Sequence, residues 1–443
     1  MKKTLCAALL LAAASVQAQP VITSWKMNNN GQKASYWAVS SGMPPTYTFT
    51  VATDSADALK VCYNADTVWL YSRDMTDSMG KWLNPNNPSG QPTVHRFTRN
   101  PQAATGTHTI SPKVGEIGML INGIHVYGLG DAYSWNGTSN VQGPGGAGIW
   151  NREVGKGEGV SLDNTLGAHP QQGGVYHTHV APYKLWNRQP TSQHSPIVGW
   201  AFDGYPIYGP YGYSSPMDAS SAVARMKTGY SLRNITTRTA YADTPGGGVT
   251  TTQVGPPVST TYPIGTYVED YEWKKSNVGD LDEYNGRYCV TPEFPTGTYA
   301  YFVTIDAAGT PVFPYYIGVY YKGVTDTKNF PAGPGGNGLS IPSYLSSCRY
   351  ATGSGVGVAG VSASNAPLKI FPNPAAGGHI TISGNGHTFN FVTVADMQGR
   401  RIYAASLEGT KDHSIQLPGP GIYLVRCDDA SGAPAQVRRI VVP

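Results

Sequence analysis

Charge is scarce in this chain. Asp, Glu, Lys and Arg make up 13% of its 443 residues, against about 25% in an ordinary soluble domain. Low charge combined with 11% aromatics, 29 of them tyrosine, excludes a disordered solvating chain. There are no heptads for a coiled coil and no glycine at every third position for collagen. Basic excess is small, 31 Lys and Arg against 27 Asp and Glu, far short of a nucleic-acid binder. Beyond the N-terminus, no apolar run approaches the roughly 20 residues of a membrane helix. Cys-x-x-Cys pairs are absent, which disfavours thiolate zinc sites and dithiol redox chemistry. The nucleophile elbow, the phosphate-binding loop, the dinucleotide fingerprint and His-Glu-x-x-His are also missing.

What is present begins with an export signal. Lys2 and Lys3 form a basic start, Leu5 to Val16 an apolar stretch, and Val16-Gln-Ala18 a small-residue cleavage site before Gln19. Residues 1–18 therefore read as a signal peptide, and the mature chain as exported. An oxidising compartment permits disulfides. Cys62, Cys289, Cys348 and Cys427 remain after cleavage and allow three pairings, with one or two structural bridges expected.

Strand signals dominate. Thr67-Val-Trp-Leu-Tyr-Ser72, Gly118-Met-Leu-Ile-Asn122, Thr298-Tyr-Ala-Tyr-Phe-Val-Thr304 and Tyr315-Tyr-Ile-Gly-Val-Tyr-Tyr321 are β-branched and aromatic, with turn clusters such as 84–90 between them. One helix is expected at Met217–Lys227, with Pro216 near its start and Gly229 beyond its end. Pro245 to Thr261 reads as a long surface loop. A small-residue stretch from Ala351 reads as a flexible linker. Past it, short alternating strands at even spacing suggest a sandwich. The fold class is mainly β: a large irregular β-rich central domain plus a small C-terminal Ig-like β-sandwich. The expected boundaries are 19–350, a Gly/Ser/Ala-rich linker at 351–367, and 368–443.

Seven of the ten histidines fall between residues 95 and 194. In Gly173-Gly-Val-Tyr-His-Thr-His179, His177 and His179 are two apart, so on a strand both project from one face. His169, across a Gln-Gln-Gly-Gly turn, can fold back as a third ligand, and His194 is an alternative third. Such a nitrogen-rich site suits a transition metal, zinc or copper first, more than calcium. Cupins also use His-x-His on a strand, followed shortly by Glu. Here Val180 to Lys184 carry no carboxylate, which weakens that reading.

Two resemblances become specific at these residues. The order Phe371-Pro-Asn-Pro374, Asp396-Met-Gln-Gly-Arg400, Gly421-Ile-Tyr-Leu-Val-Arg426 and a basic-apolar end resembles the C-terminal sorting domain of type IX secretion cargo. The resemblance implies handling by the type IX machinery through residues 368–443, delivery to the outer surface or medium, and removal of the module on export. The second resemblance, best over about 68–321, is to the YHYH protein family. It rests on His169 to His179, His194-Ser-Pro-Ile-Val-Gly-Trp-Ala-Phe-Asp-Gly-Tyr-Pro-Ile-Tyr-Gly209, Gly265 to Trp273 and Gly279 to Tyr301. This family brings no established reaction. The chain departs from it at Thr178, which replaces the second Tyr of Tyr-His-Tyr-His. Tyr284 stands where relatives usually have Cys, and Cys289 lies five residues on, which implies a rewired local disulfide.

Carboxylates form a further group: Glu269, Asp270, Asp280, Asp282 and Glu283. Crowded carboxylates repel unless neutralised. The readings open are an ion-pair loop with Lys274, Lys275 and Arg287, an oxygen-lined calcium site, and a contribution to the histidine site. Asp203, in an Asp-Gly turn, is a metal ligand, a partner that fixes an imidazole tautomer, or a turn cap.

Three functions are consistent with these residues. The first is an exported metal-binding protein, the second a metal-dependent enzyme of unknown extracellular substrate. The third is a glycan-binding or adhesion module with Tyr205, Tyr208, Tyr211 and Tyr213 stacking on sugars. Residues 19–367 hold 22 charges of each sign, so nucleic acid and anionic membrane are not expected partners.

Overall fold

The computed structural model describes residues 24–443 apart from 41–43, 107, 110–113, 144–149, 187–191, 240–253, 275–278, 331–337, 346, 352–368, 384–390, 397–400, 407–411 and 429–433. The signal segment, the linker past Ala351, the first part of the 245–261 loop and the turn at 397–400 lie outside the described residues. The chain divides into two compact units, Met1–Ser354 and Gly355–Pro443.

Both are β. In the first unit an eight-stranded sheet runs, in spatial order, Ala168–Pro170, Tyr176–Thr178, His125–Tyr127, Glu116–Leu120, Ile197–Ala201, Pro206–Tyr208, Thr298–Phe302 and Gly286–Cys289. Two neighbouring pairs are parallel, Tyr176–Thr178 with His125–Tyr127 and Pro206–Tyr208 with Thr298–Phe302; the rest are antiparallel. Ile197–Ala201 and Thr298–Phe302 are buried at every position. Strands covered on both faces lose the polar-apolar alternation and read as continuous apolar runs. That is why these segments stand out in the sequence.

A four-stranded sheet, Cys348–Tyr350, Lys60–Tyr63, Thr67–Ser72 and Thr93–Thr98, shares one hydrophobic core with the large sheet. Val61, Leu70 and Phe97 from one share that core with Met119 and Trp200 from the other and with Phe202 just past its strand. A disulfide between Cys62 and Cys348 ties its first two strands, 286 residues apart in sequence. Cys289 is buried and free, so no local bridge forms near Tyr284. Tyr284 instead puts its hydroxyl 3.0 Å from Nε2 of His108.

The helix expected at Met217–Lys227 is not formed. Asp218 accepts hydrogen bonds from the Ser220 backbone and hydroxyl, a local turn that competes with helix. Val223–Arg225 then pairs antiparallel with Tyr211–Tyr213. Among the described residues the single α-helix is one turn, Val154–Gly157.

The second unit is a small β-sandwich. Lys369–Phe371, His379–Ser383 and Asp412–Gln416 form one sheet, and Arg401–Ser406, Phe391–Asp396, Gly421–Asp428 and Pro434–Val442 the other. Alternate residues Ile380 and Ile382, Val392 and Val394, and Tyr423 and Val425 point inward to one core.

Candidate metal centre

The histidine motif sits at one edge of the large sheet. A tight turn, with Gly173 and Gly174 both at positive φ, joins Ala168–Pro170 to Tyr176–Thr178. At Gly174 a side chain is excluded twice over: φ is 89°, and a Cβ there would lie 2.1 Å from Oγ of Ser89. The hairpin makes His169 and His177 direct cross-strand partners. His179, two residues on, adds a third ring to the same cluster; its ring centroid lies 4.8 Å from that of His177 and 5.7 Å from that of His169. One ligand nitrogen from each of the three lies within 4.8 Å of the other two. All three residues are buried.

The outer ring nitrogens decide what the inner ones can do. Nδ1 of His177 is 3.2 Å from the Val175 carbonyl, and Nδ1 of His179 is 3.1 Å from the Gly128 carbonyl. A carbonyl only accepts, so both Nδ1 atoms carry the proton and both Nε2 atoms present lone pairs. Those two Nε2 atoms face each other at 3.0 Å. Nδ1 of His169 lies 2.8 Å from Oγ of Ser161, whose own hydroxyl donates to the Glu158 carbonyl. Ser161 can accept from this Nδ1, whereas Asn84 Nδ2, 3.1 Å away, can only donate to it, so the neighbours of His169 suit either tautomer.

A carboxylate completes the group, and sequence reasoning missed it. Oε2 of Glu158 is 3.4 Å from Nε2 of both His169 and His179. Glu158 ends the one-turn helix, which is capped by Glu153 accepting from the Gly155 and Lys156 amides. Burial pushes the Glu158 carboxyl up. The His169 hydrogen bond and the His179 and His169 charges outweigh it and hold the group below its ordinary range. Burial, then the neighbouring imidazoles His179 and His169, drives the His177 pKa well down. Burial takes that of His179 to about 4. Neither ring readily takes a second proton to relieve the opposed lone pairs. The cluster lines a cleft of about 340 Å³ together with Tyr127, Asp131, Tyr133 and Gln171.

Thr178, the departure from the family motif, alternates with the two histidines along the strand. Its hydroxyl bonds the Leu166 carbonyl at 2.6 Å and the Tyr316 hydroxyl at 2.9 Å. The substitution therefore leaves the imidazole cluster untouched.

The other candidates do not join this centre. His194 packs against Tyr208, Tyr213 and Phe302, beside strands four or more positions along the sheet from Tyr176–Thr178. At about 4.8 Å per strand that is roughly 19 Å. Asp203 accepts from the Tyr301 hydroxyl (2.6 Å) and the Gly323 (2.9 Å) and Tyr205 (3.2 Å) amides, as a buried turn residue. Burial outweighs these donors and raises its pKa to about 6. Tyr205, Tyr208 and Tyr211 are core residues, not an exposed sugar platform.

Four of the five carboxylates of the acidic segments have separate partners. Glu269 accepts from the Asn151 amide and side chain, Asp280 from the Lys227 amide, and Asp282 from the Tyr299 hydroxyl. Glu283 lines a second cleft with Trp273 and Lys274. Asp270 is held bidentately by Arg238, and Arg238 also donates to the Pro256, Tyr262 and Pro263 carbonyls. Both side chains are fully buried. Breaking such a pair from one side strands a buried charge, so Arg238→Ala is expected to cost about 3–5 kcal/mol. Urea denaturation measures this; a loss below about 1 kcal/mol would contradict a structural role for Asp270.

Comparison with known proteins places the chain. Residues 94–314 match the YHYH protein family, and residues 369–443 match the secretion system C-terminal sorting domain. The chain is a YHYH-family protein with a sorting tail that marks it for export by the type IX system, to the cell surface or beyond. No curated protein matches it. Among solved structures, PorZ, described as an essential bacterial surface component of the type-IX secretion system of Porphyromonas gingivalis, is 12% identical. That alignment covers 91% of this chain and 62% of PorZ, with a TM-score of 0.17. Among the described residues, no helix is long and apolar enough to cross a membrane.

Proposed function

We propose that this exported protein binds a transition metal ion, zinc or copper, through Nε2 of His169, His177 and His179, with the Glu158 carboxylate as fourth ligand. The opposed lone pairs of His177 and His179 at 3.0 Å carry this reading. Two nitrogens on one zinc at 2.0–2.1 Å lie about 3.3 Å apart in a tetrahedral site. His177 and His179 each have the outer nitrogen anchored by a carbonyl oxygen, the arrangement that orients metal-ligating histidines. Three imidazoles and one carboxylate suit a divalent transition metal, whereas calcium prefers six to eight oxygens. The organisation proposed with it is a mature chain beginning at Gln19, a domain to about residue 350, a linker at 351–367 and a removable tail from 368.

The test is elemental analysis of the full chain purified without added metal. At least one equivalent of zinc or copper per chain is expected, released by a strong chelator and regained on dialysis against either metal. A wild-type protein that is empty as purified and takes up neither metal would falsify the proposal.

A further inference from the structure

One strand further into the sheet, His125 lies in register with His177. A second group gathers around it. His95 comes from Thr93–Thr98 of the four-stranded sheet, and Glu116 from the start of the strand beside His125. Nε2 of His95 is 2.9 Å from Oε2 of Glu116. Nδ1 of His125 lies 3.7 Å from Oε1 of Glu116 and 3.5 Å from Oδ1 of Asp74. One ligand atom from each of His95, Glu116 and His125 lies within 4.8 Å of the other two.

These groups are deep. His95 is 1% exposed, His125 2% and Asp74 0%. Even so, neither ring nitrogen of His125 has a hydrogen-bond partner, nor has Oδ2 of Asp74. Buried polar atoms in folded proteins are nearly always partnered. Contacts of 3.5 and 3.7 Å are too long for hydrogen bonds, but the one to Glu116 matches the spacing of donors around one cation. The surrounding structure holds them there. Asp74 has a left-handed backbone, φ 54°, and its Oδ1 accepts from the His125 amide at 3.2 Å. The His95 ring stacks on Phe202 with 5.5 Å between centroids. Glu116 is the least buried of the four, its side chain 13% exposed.

We propose that His95, Glu116 and His125 form a second binding site for a divalent transition metal, with the Asp74 carboxylate beside His125 holding that ring in place. Two imidazoles with a carboxylate are a donor set for zinc, iron(II) or manganese. Tyr127 forms the wall between this site and the first: its ring stacks on His177 at 4.0 Å and lies 6.4 Å from that of His125. The second site shares no ligand with the first and stands or falls separately.

The experiment is a titration of the chelator-stripped full chain with cobalt(II), read by visible absorbance and confirmed by metal analysis with zinc. Wild type is expected to saturate at two equivalents, and His125→Gln and the His177→Ala, His179→Ala pair at one each. A wild type that saturates at one equivalent, lost in the His177/His179 variant and kept in His125→Gln, overturns the second site. One equivalent with the reverse pattern upholds it and removes the first. Should His125→Gln fail to fold, anomalous scattering from wild-type crystals grown with zinc decides. A peak between His95 and His125 supports the site, and its absence there at full zinc saturation overturns it.

Discussion

The variant His177→Ala, His179→Ala is expected to lose the metal of the His169 cluster while keeping its fold. Removing only an outer hydrogen-bond partner of a ligating histidine typically costs about 10–100-fold in affinity. Removing two of three nitrogen ligands is therefore expected to exceed ~10³-fold, enough to empty the site on dialysis. The fold should tolerate it because the strand's inward anchors are other residues. Tyr176, bonded to Asp163, and Thr178, bonded to the Leu166 carbonyl, are untouched. The stack of Tyr127 on His177 is lost, at about 0.5–1.5 kcal/mol for an aromatic pair. Far-ultraviolet circular dichroism checks the fold, and metal analysis checks the site. Undiminished zinc or copper at the first site would show that other residues hold it.

Opening the Cys62–Cys348 bridge is expected to produce the largest loss of stability. The bridge closes a loop spanning 286 residues. Chain-entropy reasoning assigns a loop of that length about 6 kcal/mol, and removal of native disulfides typically costs about 2–5 kcal/mol. Little native packing depends on the bridge itself, since Cys348–Tyr350 is a three-residue edge strand with one partner. Cys62→Ser with Cys348→Ser should lower the urea midpoint, and reducing the wild type should give the same shift. A shift worth under about 1 kcal/mol would mean that the unfolded chain is already restrained there.

Much of the strand content was legible, and the reason is burial. Thr67–Ser72 and Thr298–Phe302 carry β-branched and aromatic residues because they are covered by the shared core. The His169–His177 pairing was legible too, because a Gly-Gly turn and a two-residue period are local signals. Glu158 was not. It reaches the cluster from a capped single turn whose placement depends on Glu153 and Ser161, with no period to mark it. The grouping of His95, Glu116 and His125 was illegible for a different reason. It requires two sheets to meet, and sequence spacing carries no trace of that contact. Conversely, His194 is near the motif in sequence and far from it in the sheet. At Met217–Lys227, flanking Pro and Gly suggested a helix, and an aspartate turn followed by strand pairing won.

The covalent clamp at Cys348 also bears on the fate of the protein after export. A cut anywhere in 352–368 leaves a new carboxyl end within about twenty residues of a bond to Cys62. Fraying from a fresh terminus normally spreads inward until it meets a well-packed element. Here it stops at the covalent bond that ties the edge strand Cys348–Tyr350 to the buried Cys62. Were the proposed tail removed there, the bond would keep the edge sheet of the first unit closed.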